Sequence, residues 1–397
     1  RGLVQILVED KNEVEKLRGQ QIGTVLLVTG NVVEDERAPG GAEIHEPTLE
    51  IISPVTDEPP IEIDKPLSHK SEHLDTLLDN RVVGLRNLQE QAIFAVQATI
   101  CRTIRAYCDE RGFTEVHTPK LLAEPTEGGA EVFQMDYFGK VATLAQSPQF
   151  YKQIMVGIFE RVFEIAPVYR AELSATTRHM TEYTSVDGEM GFISLSDLED
   201  FLSGLLRAVV DSVWGQHEAE LKRWNATKPV LPEKIPVISM AEIHERYSKA
   251  TGETTIGEKD LRPDEERWIC EYAKKNLDSE AVFVSEWPAS EMKFYHKANE
   301  GNPEIADRVD LLFRGVEITT GSMRENSYEK VVQQLQKLAG GDPNDPGFQP
   351  LLNAMKYGMP PHGGFGLGLE RLTQKLIGLN NVKEATLFPR DINRLTP

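Results

Sequence analysis

The stretch FEIAPVYRAELSATTRHMTEYTSVDGEM, residues 163–190, decides the fold of this chain. Its first and last parts alternate apolar and polar residues, which predicts two β-strands joined by a polar loop. Because side chains two positions apart share one face of a strand, each strand collects polar groups on one side. These positions are Val168, Arg170 and Glu172 on the first strand and Tyr183, Ser185, Asp187 and Glu189 on the second.

The two strand faces admit two interpretations. If they coincide, an arginine, an aromatic ring and two carboxylates line one patch of sheet, which suits a triphosphate with its base and an amino ligand. The loop LSATTRHMT adds Arg178 and His179 to that patch. A sheet face open to water shows the same alternation, so the hairpin alone also fits a solvated surface.

A second hairpin is predicted in DRVDLLFRGVEITTG, residues 307–321. A two-residue turn at Arg314-Gly315 would place Leu312 opposite Glu317 and Asp310 opposite Thr319. Asp310 and Glu317 would then point to the same side, about 7–8 Å apart at the backbone. Two carboxylates so placed can share a magnesium ion with substrate phosphates, although an unpaired acidic edge explains them equally well without further context.

The glycine-rich run GGFGLGLERL, residues 363–372, is the third notable element. Its glycine spacing matches neither the dinucleotide-binding pattern nor the P-loop, so neither phosphate cradle is predicted. Glycines in such a run favour close approach of neighbouring backbones. The run leads into a helix with Arg371 in its first turn, where helix amides and a guanidinium both favour an anion.

The organisation of the whole chain follows from composition and periodicity. Short strands and turns predict an all-β domain over residues 1–58, whose opening strands we expect to be missing, and a Pro-rich linker over residues 59–82. Residues 83–397 should form an α+β domain with an antiparallel sheet, because helices and strands do not alternate regularly. It begins with a long helix over Gln91–Tyr107 and contains a charged, helix-rich insertion over residues 215–280.

The strand that follows this long helix is predicted in FTEVHTP, ending at Pro119. The composition, with 40% hydrophobic and 27% charged residues, predicts a soluble protein, and no apolar run is long enough for a membrane span. We therefore expect a cytoplasmic protein with no membrane partner. Three cysteines without metal-ligand spacing predict free thiols. The net charge of −20 by itself disfavours a nucleic-acid partner, but an acidic protein can still carry one basic surface.

Several blocks, in order, resemble the class II aminoacyl-tRNA synthetases, in particular the aspartyl type of archaea and eukaryotes. GFTEVHTPKL, VYRAELSATTRHMTEYTSVDGEM and GGFGLGLERL resemble the three motifs of that family. TEGGAEVF, LAQSPQFYKQ and RGVEITTGSMRE stand between them in family order. The resemblance covers essentially the whole chain. It implies an anticodon-binding OB-fold for the first domain, an antiparallel catalytic sheet flanked by helices, and a homodimer.

The resemblance also assigns the site residues. It implies an ATP site formed by Arg170, Glu172, Arg178, His179, Met180, Tyr183, Glu317, Gly368 and Arg371, with Arg170 and Arg371 catalytic. It implies an aspartate site formed by Glu127, Ser147, Gln149, Lys152, Asp187, Thr320 and Arg324. Mg²⁺ would be held by Asp310, Glu317 and Thr320.

The implied activity is an aspartate–tRNA ligase that forms aspartyl-adenylate from L-aspartate and ATP and then charges tRNA-Asp, with tRNA-Asn open as a second substrate. Three alternatives remain. An asparaginyl-tRNA synthetase differs from this chain at LAQSPQFYKQ and TSVDGEM. A relative that makes a free amino-acid derivative would not need the OB-like domain. A non-catalytic paralogue usually loses motif residues, whereas Arg170, Arg371, Asp310 and Glu317 are all present.

Overall fold

A computed structural model of the chain describes residues 3–69, 71–123, 131–174 and 176–397. The chain divides into two compact units, residues 1–91 and residues 92–396. In the described part, no helix is both long enough and apolar enough to cross a membrane.

The first unit is built around a three-stranded sheet. Its strands are β1 (Gln5–Ile6), β2 (Val25–Glu34) and β3 (Ala42–Ser53), and its helices are α1 (Lys11–Leu17), α2 (Ser71–Asp79) and α3 (Arg81–Gly84). The central strand β3 pairs antiparallel with β2 and parallel with β1. The helix α1 was not predicted. Asp10 caps it by accepting hydrogen bonds from the backbone amides of Asn12 and Glu13.

The second unit contains most of the regular structure. Its helices are α4 (Leu88–Asp109), which begins at the end of the first unit, α5 (Gln149–Phe159), α6 (Leu195–Gln216), α7 (Glu218–Arg223), α8 (Met240–Thr251), α9 (Pro263–Asn276), α10 (Tyr328–Leu338), α11 (Gln349–Lys356) and α12 (Leu369–Ile377). Its strands are β4 (Thr114–Glu115), β5 (Leu121–Leu122), β6 (Gln134–Tyr137), β7 (Lys140–Leu144), β8 (Arg161–Tyr169), β9 (Glu182–Gly191), β10 (Val237–Ser239), β11 (Ala281–Ser285), β12 (Trp287–Pro288), β13 (Ile305–Ala306), β14 (Arg308–Phe313), β15 (Val316–Arg324) and β16 (His362–Gly368).

The main sheet has eight strands in the order β10-β11-β14-β15-β16-β9-β8-β4. The six central strands pair antiparallel, and the two edge strands, β10 and β4, pair parallel with their neighbours. The predicted α+β fold with an antiparallel sheet flanked by helices is therefore confirmed. The segment predicted as an insertion supplies the edge strand β10 and the helices α7, α8 and α9.

The helices α4 and α6 cover one face of this sheet. The residues that gave α4 its apolar periodicity are all buried in the main core: Ile93, Val96, Ile100, Ile104 and Tyr107. The helix itself, Leu88–Asp109, extends the predicted span by a few residues at each end. On β9, Val186 and Met190 join this core, so the alternate positions Ser185 and Asp187 point to the opposite face. That face carries the candidate site.

The strand predicted to end at Pro119 is much shorter than expected. Only Thr114 and Glu115 pair with β8, because the chain then turns away and Thr118 hydrogen-bonds the Glu164 carboxylate through its amide (2.8 Å) and its hydroxyl (2.7 Å). A side chain on the neighbouring strand therefore takes the hydrogen bonds that a longer strand would have made.

Candidate active site

A cavity of about 450 Å³ is lined by the β8–β9 hairpin, the β14–β15 hairpin, the start of α5 and the junction of β16 with α12. The predicted site residues that line it are Ser147, Gln149, Lys152, Arg170, Glu172, Arg178, His179, Met180, Tyr183, Asp187, Glu317, Thr320, Arg324, Gly368 and Arg371. Asp310 lies behind the cavity wall, 3% exposed, and Glu127 lies outside the described residues. Segments far apart in the sequence thus meet in one cavity.

The hairpin of residues 163–190 forms one wall of this cavity. The two predicted strands are confirmed, but the first ends at Tyr169, so Arg170 and Glu172 begin the loop instead of continuing the strand. The Arg170 amide still donates to the Thr181 carbonyl at 2.9 Å, which fixes the start of the loop. The guanidinium carbon of Arg170 lies 5.7 Å from the ring centroid of Tyr183, so a cation and an aromatic face stand side by side.

Two further guanidinium groups stand near the turn of the β14–β15 hairpin. Arg178 donates from Nη1 to Oε2 of Glu266 at 2.7 Å and from Nη2 to the carbonyl of Gly315 at 3.2 Å. Arg371 donates from Nη1 to the carbonyl of Glu317 at 3.0 Å. Because Glu266 belongs to α9, the helix-rich segment contributes to the position of a cavity-lining cation. Anchored guanidinium groups are suited to holding phosphate oxygens.

The loop between β8 and β9 also positions an imidazole. His179 and the hydroxyl of Thr176 share a hydrogen bond of 2.7 Å through Nδ1. Burial lowers the pKa of His179, and the nearby Arg371 charge acts in the same direction. Near neutral pH the imidazole is therefore mostly uncharged and contributes hydrogen bonding to this region. Met180, the next residue, is buried and accepts a hydrogen bond from Thr386 at its sulfur.

Four buried charges form a compact cluster at the cavity wall beside α5. Lys152 Nζ donates to Oδ1 of Asp187 at 2.8 Å and to the carbonyl of Phe365 at 2.9 Å, and lies 3.6 Å from Oε2 of Glu189. Arg324 donates from Nε to Oε1 of Glu189 at 2.7 Å and from Nη2 to Oε2 at 3.3 Å. The four side chains are at most 5% exposed. The cluster has no net charge when all four groups are ionised.

Electrostatics within the cluster favour the charged form of Glu189. Burial by itself raises the pKa of Glu189, but the charges of Arg324 and Lys152 outweigh burial and hold the pKa below its usual value. Glu189 was predicted to lie on the polar face of its strand, without a role. The available signal was its spacing of two from Asp187, which puts both carboxylates on one side of β9.

The side chain of Gln149 has a hydrogen-bond donor without an acceptor among the described residues. The amide nitrogen Nε2 of Gln149 is buried and meets no acceptor among the described residues, although Gln149 lines the cavity. A buried donor without a partner is costly, which makes it a natural contact for a bound ligand.

The β14–β15 hairpin differs from its predicted register by one residue. Leu312 faces Glu317 as predicted, but Asp310 faces Thr320 instead of Thr319, because a β-bulge beside Leu312 adds an unpaired residue to β15. The bulge keeps Glu317 and Thr320 on one side although they are three positions apart. The hydroxyl of Thr320 donates to Oε1 of Glu317 at 3.0 Å.

Asp310 itself is engaged by a residue that sequence analysis did not consider. Arg308 donates from Nε to Oδ1 at 3.2 Å and from Nη2 to Oδ2 at 2.7 Å. Burial raises the pKa of Asp310 to about 7, with Arg308 opposing that rise and Glu317 adding to it. Asp310 as a magnesium ligand therefore stays a prediction, since both of its oxygens already accept hydrogen bonds.

Other cavity-lining residues were also missed. They include Gln146, Glu291, Lys293, Tyr295, His296, Arg308 and Glu370. The carboxylate of Glu370 accepts the Thr184 amide at 3.0 and 3.1 Å through its two oxygens, and burial raises its pKa to about 7. The imidazole of His296 is buried, which lowers its pKa well below the usual value, and the nearby Arg324 charge adds to that effect. No local pattern distinguished these positions.

The glycine-rich run brings backbones close together, as predicted. A Cβ atom on Gly364 would lie 1.9 Å from Oε2 of Glu189, and one on Gly188 would lie 2.4 Å from the ring of Phe365. Any larger residue at Gly364 would therefore displace the carboxylate that pairs with Arg324.

Comparisons with known proteins give the relatives of this chain. The model of the family "tRNA synthetases class II (D, K and N)" matches residues 73–392. The chain is 44% identical to an aspartate–tRNA(Asp/Asn) ligase of Thermus thermophilus, over 94% of this chain and 87% of that protein. It is 38% identical to an aspartate–tRNA(Asp) ligase of Pyrococcus abyssi, over 100% of this chain and 90% of that protein.

A solved structure was also similar over nearly the whole chain. Asparaginyl-tRNA synthetase from Pyrococcus horikoshii, in complex with asparaginyl-adenylate, superposes with a TM-score of 0.89 at 32% identity. The match covers 98% of this chain and 87% of that chain.

Proposed function

Because this chain belongs to the class II tRNA synthetases of the D, K and N group, we propose that its cavity activates L-aspartate with ATP and transfers the aspartyl group to tRNA. As a member of that family it is an aminoacyl-tRNA ligase that uses ATP. The observation that supports aspartate as the amino acid is the buried cluster around Lys152 and Arg324, because it places two cations beside a cavity of suitable size.

The amino acid is recognised by charge. Arg324 and Lys152 receive the side-chain carboxylate of aspartate, while Asp187 faces the ammonium group and the Nε2 donor of Gln149 finds an acceptor on the substrate. Glu189 keeps Arg324 in place and balances its charge before the substrate arrives. The neutral amide of asparagine could not form the charge-assisted hydrogen bonds that a carboxylate accepts from Arg324 and Lys152, and its NH2 group would bring a donor against these donors.

The nucleotide occupies the other part of the cavity. Tyr183 stacks on the adenine, and Arg170 neutralises the charge that develops on the α-phosphate. Glu172, Met180 and Gly368 complete the walls around the nucleotide. Near the turn of the β14–β15 hairpin, Arg178, His179 and Arg371 hold the outer phosphates of a bent ATP, on the side of the leaving pyrophosphate.

The first chemical step needs positioning more than it needs a protein nucleophile. An α-carboxylate oxygen of aspartate attacks the α-phosphorus, and the bond from that phosphorus to the bridging oxygen of the leaving pyrophosphate breaks. The terminal adenosine hydroxyl of tRNA then attacks the aspartyl carbonyl carbon, and AMP leaves. Side chains fixed before substrate arrives, such as Arg324 and Arg178, supply the required orientation.

Magnesium fits one part of the predicted metal site. The Glu317 carboxylate and the Thr320 hydroxyl face the cavity together and present oxygen ligands, the donor type this ion prefers. We propose that these two residues hold Mg²⁺, which neutralises phosphate charge when bound. Asp310 would join them only if Arg308 released its carboxylate.

A homodimer is part of the proposal. It is supported by the resemblance of GFTEVHTPKL, residues 112–121, to the motif through which the family dimerises. Light scattering at micromolar concentration should give a mass of twice 44.5 kDa. A mass of a single chain would contradict this part of the proposal without affecting the assignment of the cavity.

Charging assays test the function itself. Purified tRNA-Asp should accept aspartate from this protein in the presence of ATP, and parallel reactions with tRNA-Asn decide between one product and two. The variant Arg170→Ala should lose aspartate-dependent pyrophosphate exchange while unfolding at the same denaturant concentration as the unaltered protein. Arg161→Ala, at the start of β8, the strand that leads to Arg170, is the matched control and should retain exchange. Normal exchange by Arg170→Ala would refute the assigned role.

A further inference from the structure

Arg308 is a half-buried cation to which neither the motifs nor the proposed chemistry assigns a role. It begins β14, two positions before Asp310, and lines the same cavity as Glu317 and Thr320. Its Nε and Nη2 atoms donate to the two oxygens of Asp310 at 3.2 and 2.7 Å. Two parallel hydrogen bonds from one guanidinium to one carboxylate make the strongest geometry for such a pair.

The surroundings hold Arg308 in this position. Its guanidinium carbon lies 4.0 Å from the ring centroid of Trp287, a favourable stacking distance for a cation on an aromatic face. The side chains of Arg308 and Asp310 are 19% and 4% exposed. Moving the guanidinium away would leave a buried carboxylate without a partner, which is a large cost.

The pair stands where the metal site was predicted. Asp310 faces Thr320 across the two strands, and Thr320 donates to Glu317. A divalent ion shared by Asp310 and Glu317 would need oxygen atoms that Arg308 already uses, and it would lie close to a fixed positive charge. Like charges a few ångströms apart repel strongly in a partly buried site.

Resting on the proposed function, we infer that Arg308 takes the place of a divalent cation at Asp310. Its guanidinium supplies fixed positive charge toward the phosphates of ATP from that side of the cavity. Metal is then held through Glu317 and Thr320, and Asp310 serves as the positioning residue that keeps Arg308 in place.

Counting bound manganese tests this inference without measuring activity. Manganese(II) replaces magnesium, and its free signal in electron paramagnetic resonance falls as it binds. The count is made per bound nucleotide, with the protein in excess over α,β-methylene-ATP, which cannot be cleaved at the α-phosphate. We expect Asp310→Asn to bind as many manganese ions as the unaltered protein. A loss of one ion in Asp310→Asn would overturn the inference.

Two further variants complete the count. Arg308→Ala uncovers the Asp310 carboxylate and should bind one more manganese ion, which the double variant Arg308→Ala/Asp310→Asn should lose again. Lys293→Ala removes another cavity-lining cation without uncovering a hydrogen-bonded carboxylate and should leave the count unchanged. An unchanged count in a folded Arg308→Ala protein would contradict the inference. If Arg308→Ala does not fold, the comparison of Asp310→Asn with the unaltered protein still decides.

The charge of Arg308 is tested separately in the absence of metal. With a chelator present, Arg308→Ala should bind the nucleotide analogue roughly tenfold more weakly, as expected for the loss of one charge-assisted contact. Unchanged affinity would show that Arg308 does not face the phosphates. Failure of the unaltered protein to bind the analogue at all would instead contradict the proposed function, so the two failures are distinguishable.

Discussion

Replacing Glu370 by glutamine should change how the stability of the second unit depends on pH. Glu370 lies in the first turn of α12, is 5% exposed and accepts the Thr184 amide through both oxygens. Burial raises its pKa from 4.5 to about 7, although the hydrogen bonds from Thr184 oppose the rise. Glutamine keeps one acceptor oxygen and a similar shape but cannot ionise.

The magnitude follows from the two pKa values. Between pH 4.5 and about 7 the folded chain retains a proton on Glu370 that the unfolded chain has released. The free energy of unfolding therefore falls as pH rises through this window, by about 3 kcal/mol in total. The glutamine variant lacks this loss. The free energy of unfolding of the variant minus that of the unaltered protein should therefore rise by about 2 kcal/mol from about pH 5 to about pH 7.5.

Denaturant unfolding at these two pH values measures the difference directly. Glu182→Gln, which alters an exposed glutamate at the start of β9, is the control and should show no comparable gain. Other titrating groups cancel because each variant is compared with the unaltered protein at the same pH. If the difference between Glu370→Gln and the unaltered protein were the same at both pH values, the reasoning about this buried carboxyl would be wrong.

Two other substitutions test the anchoring of the cavity cations. Glu189→Gln leaves the buried guanidinium of Arg324 without a charged partner, so the free energy of unfolding should fall by about 3 kcal/mol and the KM for aspartate should rise. Denaturant unfolding and exchange kinetics measure the two effects, and no change in either would contradict the assigned pairing. Glu266→Ala removes the carboxylate that anchors Arg178, so the KM for ATP should rise several-fold while the KM for aspartate stays constant. Glu271→Ala, on the same helix, is the control, and equal KM values for ATP in the two variants would refute the anchoring.

Local rules predicted the parts of the hairpins that depend only on neighbouring residues. Alternation with a period of two was enough to place Tyr183, Ser185 and Asp187 along one wall of the cavity. It could not predict the end of β8 at Tyr169, because that end depends on where two strands separate. The β-bulge beside Leu312 has no sequence signal either, since bulges of this kind are defined by pairing with another strand.

The ion pairs between distant residues could not be predicted from local sequence patterns. Arg324 and Glu189 are separated by 135 positions, and Arg178 and Glu266 by 88. Such pairs are set by the packing of distant segments, so their members look like ordinary charged residues in the sequence. Resemblance to the family supplied the residues that are predicted to face the substrates. It gave no role to Glu189, which pairs with one of those residues.

The choice between aspartate and asparagine tests the central claim most directly, because one similar solved structure is an asparaginyl-tRNA synthetase. Pyrophosphate exchange should be measured on the unaltered protein with each amino acid in turn, with ATP and magnesium present. Aspartate should support exchange, and asparagine should be at least about a hundredfold poorer, since its neutral amide cannot accept charge-assisted hydrogen bonds from Lys152 and Arg324 as a carboxylate does. Exchange that is equal for the two amino acids, or faster with asparagine, would contradict the account.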